Sequence, residues 1–541
     1  MTNWAQEAIA GVAPLPRTTM RSLQRPAQRL LRPLDALATR LYGWRANPLH
    51  QSGTIAAALL AALILSGLYL LLFYRVSAPW ASVARIHQDP WIGRWMRALH
   101  RFASDAMVVA VLVHAWRMFA QERSWGPRAL AWTSGVVLLA IVFASGWTGY
   151  VMVWDTFGAK LATAGARLFD VLPVLSEPSR RIFAGDRPIP PAFFFLNLFL
   201  HVALPLGVAA GLWLHVSRLA RPVLLPPRPL LVGVIGVLAL LAIALPAPLL
   251  PEASPFALPA QVPSDLFYAF WLPWADRLSP AAAWAGALLT FALALLVPRF
   301  TRRPRVLLWA PSVVDERLCT GCNQCPQDCP WDAITMHPRS DGRPTLVARV
   351  DPARCVSCGI CAGSCAPMGV GPDGRTGRDQ LAALRRDLAG AQVAVPPRPL
   401  AICCENAAPE QLGMVAAHGL EVRRVSCAGN LHTSVVELAL REGAPGVIVL
   451  TCPPRDCRGR EGTKWLHERM YNDREAELQP RVDRQRIEVA VMASGDVAGT
   501  TRSLDAFLRR IESLRPAGDD GDDVEEAICT AIPLQPNQRR T

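Results

Sequence analysis

"LHRFASDAMVVAVLVH", residues 99–114, is an apolar run with a histidine near its start and another at its end, and its reading decides the fold. His100 and His114 are 14 residues apart. "LHVALPLGVAAGLWLH", residues 200–215, repeats the pattern with His201 and His215. Fourteen residues are about 3.9 turns and about 21 Å of α-helix, so the two histidines of each run share a face at two depths. Two such helices side by side pair His100 with His201 and His114 with His215. Neutral imidazole is a haem ligand, so each pair predicts a clamp on one haem iron. Gly53 and Gly67, and Gly135 and Gly149, keep the same spacing in two further apolar runs. A flat macrocycle between helices needs gaps in the side-chain surface, and glycine supplies them.

The rest of the chain fits a membrane protein with a cytoplasmic redox half. Apolar residues make up 51% of 541 and charged residues 18%, which is rich for a soluble protein of this length. Six stretches are long enough to span a bilayer: 54–73, 102–119, 129–154, 193–217, 229–250 and 280–298. The net charge of +13 reads as arginine beside apolar segments, not as nucleic-acid binding, for which no basic–aromatic motif is present. Arginines crowd the N-terminal segment and the connections at 117–128, 218–228 and 299–305. The positive-inside rule therefore predicts both termini and all cysteines in the cytoplasm of a prokaryote, behind its inner membrane. Residues 75–97 also carry arginines, against that rule.

All 14 cysteines lie at or after Cys319. "CTGCNQCPQDCP" (319–330) and "CVSCGICAGSCAP" (355–367) each read C-x2-C-x2-C-x3-C. Four evenly spaced thiols per run suit an iron–sulfur cubane better than zinc. In this pattern the fourth cysteine of each run crosses to the other cluster. One [4Fe–4S] set is then Cys319, Cys322, Cys325 and Cys365, and the other Cys329, Cys355, Cys358 and Cys361. From 398 onward, short apolar runs alternate with helical stretches, which predicts an α/β domain on a parallel sheet. Its cysteines fall at strand ends, where such sheets hold ligands.

Three resemblances follow from these motifs. Residues 45–220 resemble the four-helix haem core of cytochrome b from quinol-oxidising complexes. Beyond the histidines, the likeness rests on "SVARIHQDPWIGRWMRALH", Pro205 in "LHVALP", and "TGYVMVW", where Val153 replaces the family's proline. It implies that Arg97 and Arg117 meet haem propionates, and that two b haems and a quinone are bound, with His100/His201 outermost. A homodimer is also implied. Ser264-Asp265-Leu266-Phe267 stands where that family has Pro-Glu-Trp-Tyr, so Asp265 is a candidate proton acceptor at an outer quinone site. The paired cysteine runs resemble a bacterial two-cluster ferredoxin. Residues 398–514 resemble the delta subunit of methyl-viologen-reducing hydrogenase, through "AICCEN", "SCAGN" and "TCPPRDCRGREG". That likeness implies a [2Fe–2S] cluster on four of Cys403, Cys404, Cys427, Cys452 and Cys457; Ala407 stands where a further cysteine is usual.

The expected organisation is multidomain. It comprises an Arg-rich segment (1–45), the all-α transmembrane haem bundle (46–220) and two further membrane helices (221–300). A small α+β ferredoxin (312–370), a linker (371–397), the α/β domain (398–514) and an acidic tail holding Cys529 (515–541) follow. The expected function is an oxidoreductase component carrying electrons between quinone and a cytoplasmic partner. That partner is a flavin-containing, heterodisulfide-reductase-like subunit or a ferredoxin. The expected order is [2Fe–2S] at the partner side, then the two [4Fe–4S] clusters, then inner and outer haem. A self-sufficient ferredoxin:quinone oxidoreductase and a non-catalytic anchor are the alternatives. The direction of flow depends on potentials and is not legible in the sequence.

Overall fold

The computed structural model describes residues 19–172, 178–183, 189–254, 265–301, 310–390 and 398–514. The expectations for the acidic tail, Cys529 and Ser264 lie outside these residues. An N-terminal helix, α1 (Thr19–Tyr42), precedes four helices of the haem-type bundle: α2 (Ser52–Phe73), α3 (Gly93–Ala120), α4 (Ala129–Val153) and α6 (Pro191–Val216). Between the last two lies α5 (Thr156–Phe169), whose first turn is capped by the Asp155 carboxylate accepting from the Gly158 amide at 2.9 Å. The bundle packs as two pairs, α2 on α3 and α4 on α6. Its core is aliphatic, with Leu59, Ala98, Ala103, Val108 and Val142 buried.

Two boundaries differ from expectation. Helix α3 starts at Gly93, not near 102, because the polar turn 94–101 continues the helix although hydropathy does not register it. The fifth apolar stretch forms α7 (Arg228–Ala244), which stops six residues short of the expected end at 250. Pro246 and Pro248 follow, and each disfavours helix in the residue before it. Among the described residues, five helices are thus long and apolar enough to cross a membrane, α2, α3, α4, α6 and α8 (Pro280–Thr301), with α7 a shorter apolar helix of 17 residues. The extended chain after α7 still reaches the N-terminal end of α3, where Arg97 donates to the carbonyls of Ala247 and Pro248, both at 2.8 Å.

The cysteine runs sit in a small α+β unit of two antiparallel pairs. Strand β1 (Val313–Val314) pairs with β4 (Val370–Gly371), and β2 (Ile334–Pro338) with β3 (Leu346–Val350). The last unit is a parallel sheet in the order β6-β5-β7-β8, built from β5 (Leu400–Cys404), β6 (Glu421–Val425), β7 (Val447–Thr451) and β8 (Ile487–Val491). Strands β5 and β7 are buried along their whole length, which is why they read as unbroken apolar runs. Both cysteine-bearing units pack on the arginine-rich end of the bundle. Arg221 donates to the Gln327 carbonyl at 2.9 Å and pairs with Glu461 at 2.7 Å. Arg128 donates to the Arg458 carbonyl at 2.6 Å and lies over the Trp331 ring.

Candidate functional site

The four histidines meet as the 14-residue spacing predicts. The His100 and His201 ring centroids are 6.2 Å apart, and those of His114 and His215 are 6.4 Å apart. A metal bonded to two imidazole nitrogens at about 2.0 Å, each about 1.1 Å in front of its ring centre, separates the centroids by about 6.2 Å. Both pairs therefore have the room and the donors for one iron each. Each glycine faces one histidine. A Cβ at Gly53 would lie 2.9 Å from His114, at Gly67 3.3 Å from His100, at Gly135 3.2 Å from His215, and at Gly149 2.8 Å from His201. Helix α2 thus backs the histidines of α3, and α4 those of α6.

Sequence reasoning missed what orients the rings. Every one of these glycines follows a hydroxyl residue: Ser52, Ser66, Ser134 and Thr148. Three of them bond an imidazole Nδ1: Ser66 to His100 at 2.9 Å, Ser134 to His215 at 3.0 Å, and Thr148 to His201 at 3.2 Å. The Nδ1–H of His201 also donates to the Ser145 carbonyl at 2.9 Å. With Nδ1 engaged, Nε2 is the nitrogen left for a metal. The hydroxyl-glycine dipeptide at 14-residue intervals was the available signal.

Asp265 lies in a polar pocket beside Arg101 of α3 and Tyr150 of α4. Its Oδ1 accepts from the amides of Phe267, Tyr268 and Ala269 at 3.0, 2.6 and 3.1 Å. Its Oδ2 accepts from the Tyr150 hydroxyl at 2.5 Å and from Arg101 at 2.7 Å. Burial favours its neutral form, but the Tyr150 hydroxyl, these amides and Arg101 outweigh it and hold the carboxyl below its usual range. Arg101 also pairs with Asp105 and stacks over the Tyr150 ring. Arg101, Asp105 and Tyr150 were not among the residues singled out from sequence.

Cys319, Cys322, Cys325 and Cys365 line one cavity of the ferredoxin unit, and Cys329, Cys355, Cys358 and Cys361 line a second. The fourth cysteine of each run sits in the other run's cavity. Burial, and then neighbouring thiols, push Cys325 and Cys358 above the usual thiol range. Thiolates crowded in this way need a bound cation to stay deprotonated.

In the α/β unit, Cys404, Cys427 and Cys452 lie at the carboxyl ends of β5, β6 and β7. The Cys404 thiol neighbours those of Cys427 and Cys452, and Cys452 neighbours Cys457. Cys403, one residue earlier on β5, points to the other face, with its thiol on the Ala401 carbonyl. Gly462 makes the close approach possible: a Cβ there would lie 3.2 Å from the Cys457 sulfur and 3.4 Å from that of Cys427. A Cβ at Gly459 would touch both the Cys358 Cβ at 3.5 Å and the Cys427 sulfur at 3.6 Å.

The loop between Cys452 and Cys457 rests on the end of the bundle that carries His114 and Arg117. Asp456 accepts from Arg117 and from Gln121, both at 2.7 Å, and its carbonyl accepts from Arg123 at 2.7 Å. Arg117, one turn beyond His114, is almost fully buried and also pairs with Asp35 of α1 at 2.5 Å. Burial, then Arg117, hold the nearby His50 down at about 4, so it is neutral at physiological pH. The α/β unit thus touches the bundle beside the ferredoxin unit, the one through Asp456 on Arg117 and the other through the Gln327 carbonyl on Arg221. Charge pairing between residues 339 positions apart could not be read locally.

Residues 44–222 match the family model for cytochrome b/b6/petB, residues 318–369 that for the 4Fe-4S dicluster domain, and residues 400–515 that for the methyl-viologen-reducing hydrogenase delta subunit. Similar curated proteins include the menaquinol:cytochrome c reductase cytochrome b subunits of Geobacillus thermodenitrificans and Bacillus subtilis. They are 27% and 25% identical over 162 residues, which is 29% of this chain and 72% of each relative. Among solved structures, a hyperthermophilic respiratory Complex III chain matches with a TM-score of 0.37 and 17% identity, over 46% of this chain and 75% of that one. This chain thus joins a cytochrome b-type module, a dicluster ferredoxin module and a hydrogenase-delta-like module in a multi-pass membrane protein. Its modules are those of redox electron transfer, with haem b and [4Fe–4S] clusters implied.

Proposed function

We propose that the chain carries electrons between the quinone pool and a low-potential cytoplasmic partner, as the membrane subunit of a larger oxidoreductase in a prokaryotic inner membrane. The reading rests on one observation above all: the candidate redox sites form an unbroken series of neighbours. We order them, from the proposed partner side inward, as the Cys319/Cys322/Cys325/Cys365 cavity, the Cys329/Cys355/Cys358/Cys361 cavity, the thiol pocket of the α/β unit, the His114/His215 pair and the His100/His201 pair. Gly459 is the close contact between the second and third. Asp456 on Arg117 is the contact between the third and fourth.

The four thiols proposed to hold the [2Fe–2S] cluster are those of Cys404, Cys427, Cys452 and Cys457. The partner, a flavin-containing, heterodisulfide-reductase-like subunit or a ferredoxin, is proposed to dock where Cys319 and Cys322 remain half-exposed. Haem supplies one-electron storage at each histidine pair. The chain's own residues hold the His100, His201 and His215 rings through Nδ1.

A redox-poised optical and EPR titration of the purified complex tests this reading. The expected inventory is two b-type haems, two [4Fe–4S] clusters and one [2Fe–2S] cluster. Fewer than two b haems would refute the membrane half. Cys404→Ser is expected to erase the [2Fe–2S] EPR signal, whereas Cys403→Ser leaves it intact. The opposite result would reverse the choice between the two.

A further inference from the structure

The outer pocket holds two carboxylates and one guanidinium. Arg101 pairs with Asp265 at 2.7 Å and with Asp105 in the next turn of α3. The facing groups are Tyr150 from α4 and, beside Ser104, the Tyr268 hydroxyl at 2.6 Å. Neither tyrosine brings a charge. If both carboxylates ionise, the trio carries one excess negative charge where water is scarce. Like charges sharing such a site cannot both ionise freely, so it favours taking up one proton. Intramembrane ionisable residues are costly and mark function by default.

The two carboxylates are not equivalent. Asp265 accepts from three amides, a tyrosine hydroxyl and Arg101. A carboxylate with that many donors is held ionised. Among the described residues, Asp105 has Arg101 as its one bonding partner. Its side chain keeps 19% of its exposure, against 9% for Asp265.

We propose that Asp105, not Asp265, exchanges the proton with quinol at this pocket, and that Asp265 is a fixed anchor for Arg101 and Tyr150. This rests on the quinone-linked reading above. Oxidation of one quinol breaks two O–H bonds and releases two electrons and two protons. In the first half, one O–H bond breaks and its proton goes to the Asp105 carboxylate; the haem that His100 and His201 would hold would be the one-electron acceptor. The second proton follows the same route once Asp105 has released the first to water, and the second electron would leave through the same acceptor. Quinone reduction runs these steps in reverse.

The test uses the complete holoprotein in nanodiscs with a short-chain naphthoquinol. It combines redox-difference infrared spectra of carboxyl groups with stopped-flow haem reduction across pH. Asp105→Asn is expected to remove the protonated-carboxyl band, flatten the pH dependence and slow haem reduction about 100-fold, the usual weight of a positioned base. Its haem spectrum stays intact, and Asp105→Glu restores the band. Asp265→Asn is expected to raise the KM for quinol while keeping both the band and the pH dependence. A band that survives in Asp105→Asn and vanishes in Asp265→Asn overturns the assignment. If the wild-type haem is not reduced by naphthoquinol at all, the quinone reading falls and this assignment falls with it.

Discussion

Gly149→Val is expected to abolish haem at the outer histidine pair and so halve the haem content of the protein. A Cβ at position 149 would lie 2.8 Å from His201 Cε1 and 3.3 Å from its Nδ1. The ring cannot retreat, because the Ser145 carbonyl and the Thr148 hydroxyl hold its Nδ1. Alanine forces a small shift, and valine adds two methyl groups in a direction already filled. Helix propensity does not account for such a loss, since valine is a better helix former than glycine by a few tenths of a kcal/mol. Gly207→Val in α6 is the control: a Cβ there meets nothing within 4 Å, and both haems should remain. Pyridine haemochrome quantification together with low-temperature optical spectra reads the outcome. Two haems in Gly149→Val would mean that the glycine is not part of the clamp.

That prediction draws on a feature visible in the sequence, and other parts of the site were not. The 14-residue interval of histidines and glycines survives translation into structure because helix geometry is local and periodic. The ferredoxin cysteines were legible for a similar reason: their spacing fixes which thiols face which cavity. The hydroxyls before each glycine were equally local, and only attention to the ring's second nitrogen would have found them. Arg101 and Asp105 stood inside the very run that decides the fold, and their charge in an apolar setting was the missed signal. The choice of Cys404 over Cys403 was half legible. Adjacent strand residues face opposite ways, but the sequence does not say which face of the sheet carries the thiol pocket. Helix α7 was overextended because hydropathy counts apolar residues without regard to Pro246 and Pro248. The docking of the α/β unit on the bundle was not legible, since Asp35, Arg117 and Asp456 meet only after three separate units have folded.

That meeting point carries the second large prediction. Asp456→Arg is expected to slow inner-haem reduction by the reduced clusters at least 100-fold, with the haem and cluster spectra unchanged. Arg117 is 2% exposed and pairs with Asp456 at 2.7 Å, while Arg123 lies 3.8 Å from the same carboxylate. Reversing the charge leaves two buried guanidiniums facing a third. Removing one partner of a buried pair costs about 3–5 kcal/mol, and like-charge contact adds to that. Asp35 still balances part of Arg117 through its own 2.5 Å pair, so α1 and the bundle should hold together. The loop bearing Cys452 and Cys457 keeps its backbone contacts, the Asp456 carbonyl on Arg123 and the Arg458 carbonyl on Arg128, but loses its one carboxylate anchor on Arg117, and it should shift away from the end of α3 that bears His114. Asp456→Asn keeps the size and a hydrogen-bond acceptor but loses the charge, so a smaller slowing of about 10-fold is expected; loss of one charged hydrogen bond is worth about 1.5–3 kcal/mol. Flash reduction of the clusters, followed at the haem Soret band, measures the rate. Dipolar broadening between the [2Fe–2S] signal and the inner haem reports their separation independently of turnover. An unaltered rate in Asp456→Arg would mean that electrons reach the bundle from the ferredoxin side, past Arg221 and the Cys329 carbonyl it faces, and the proposed order of sites would have to be redrawn.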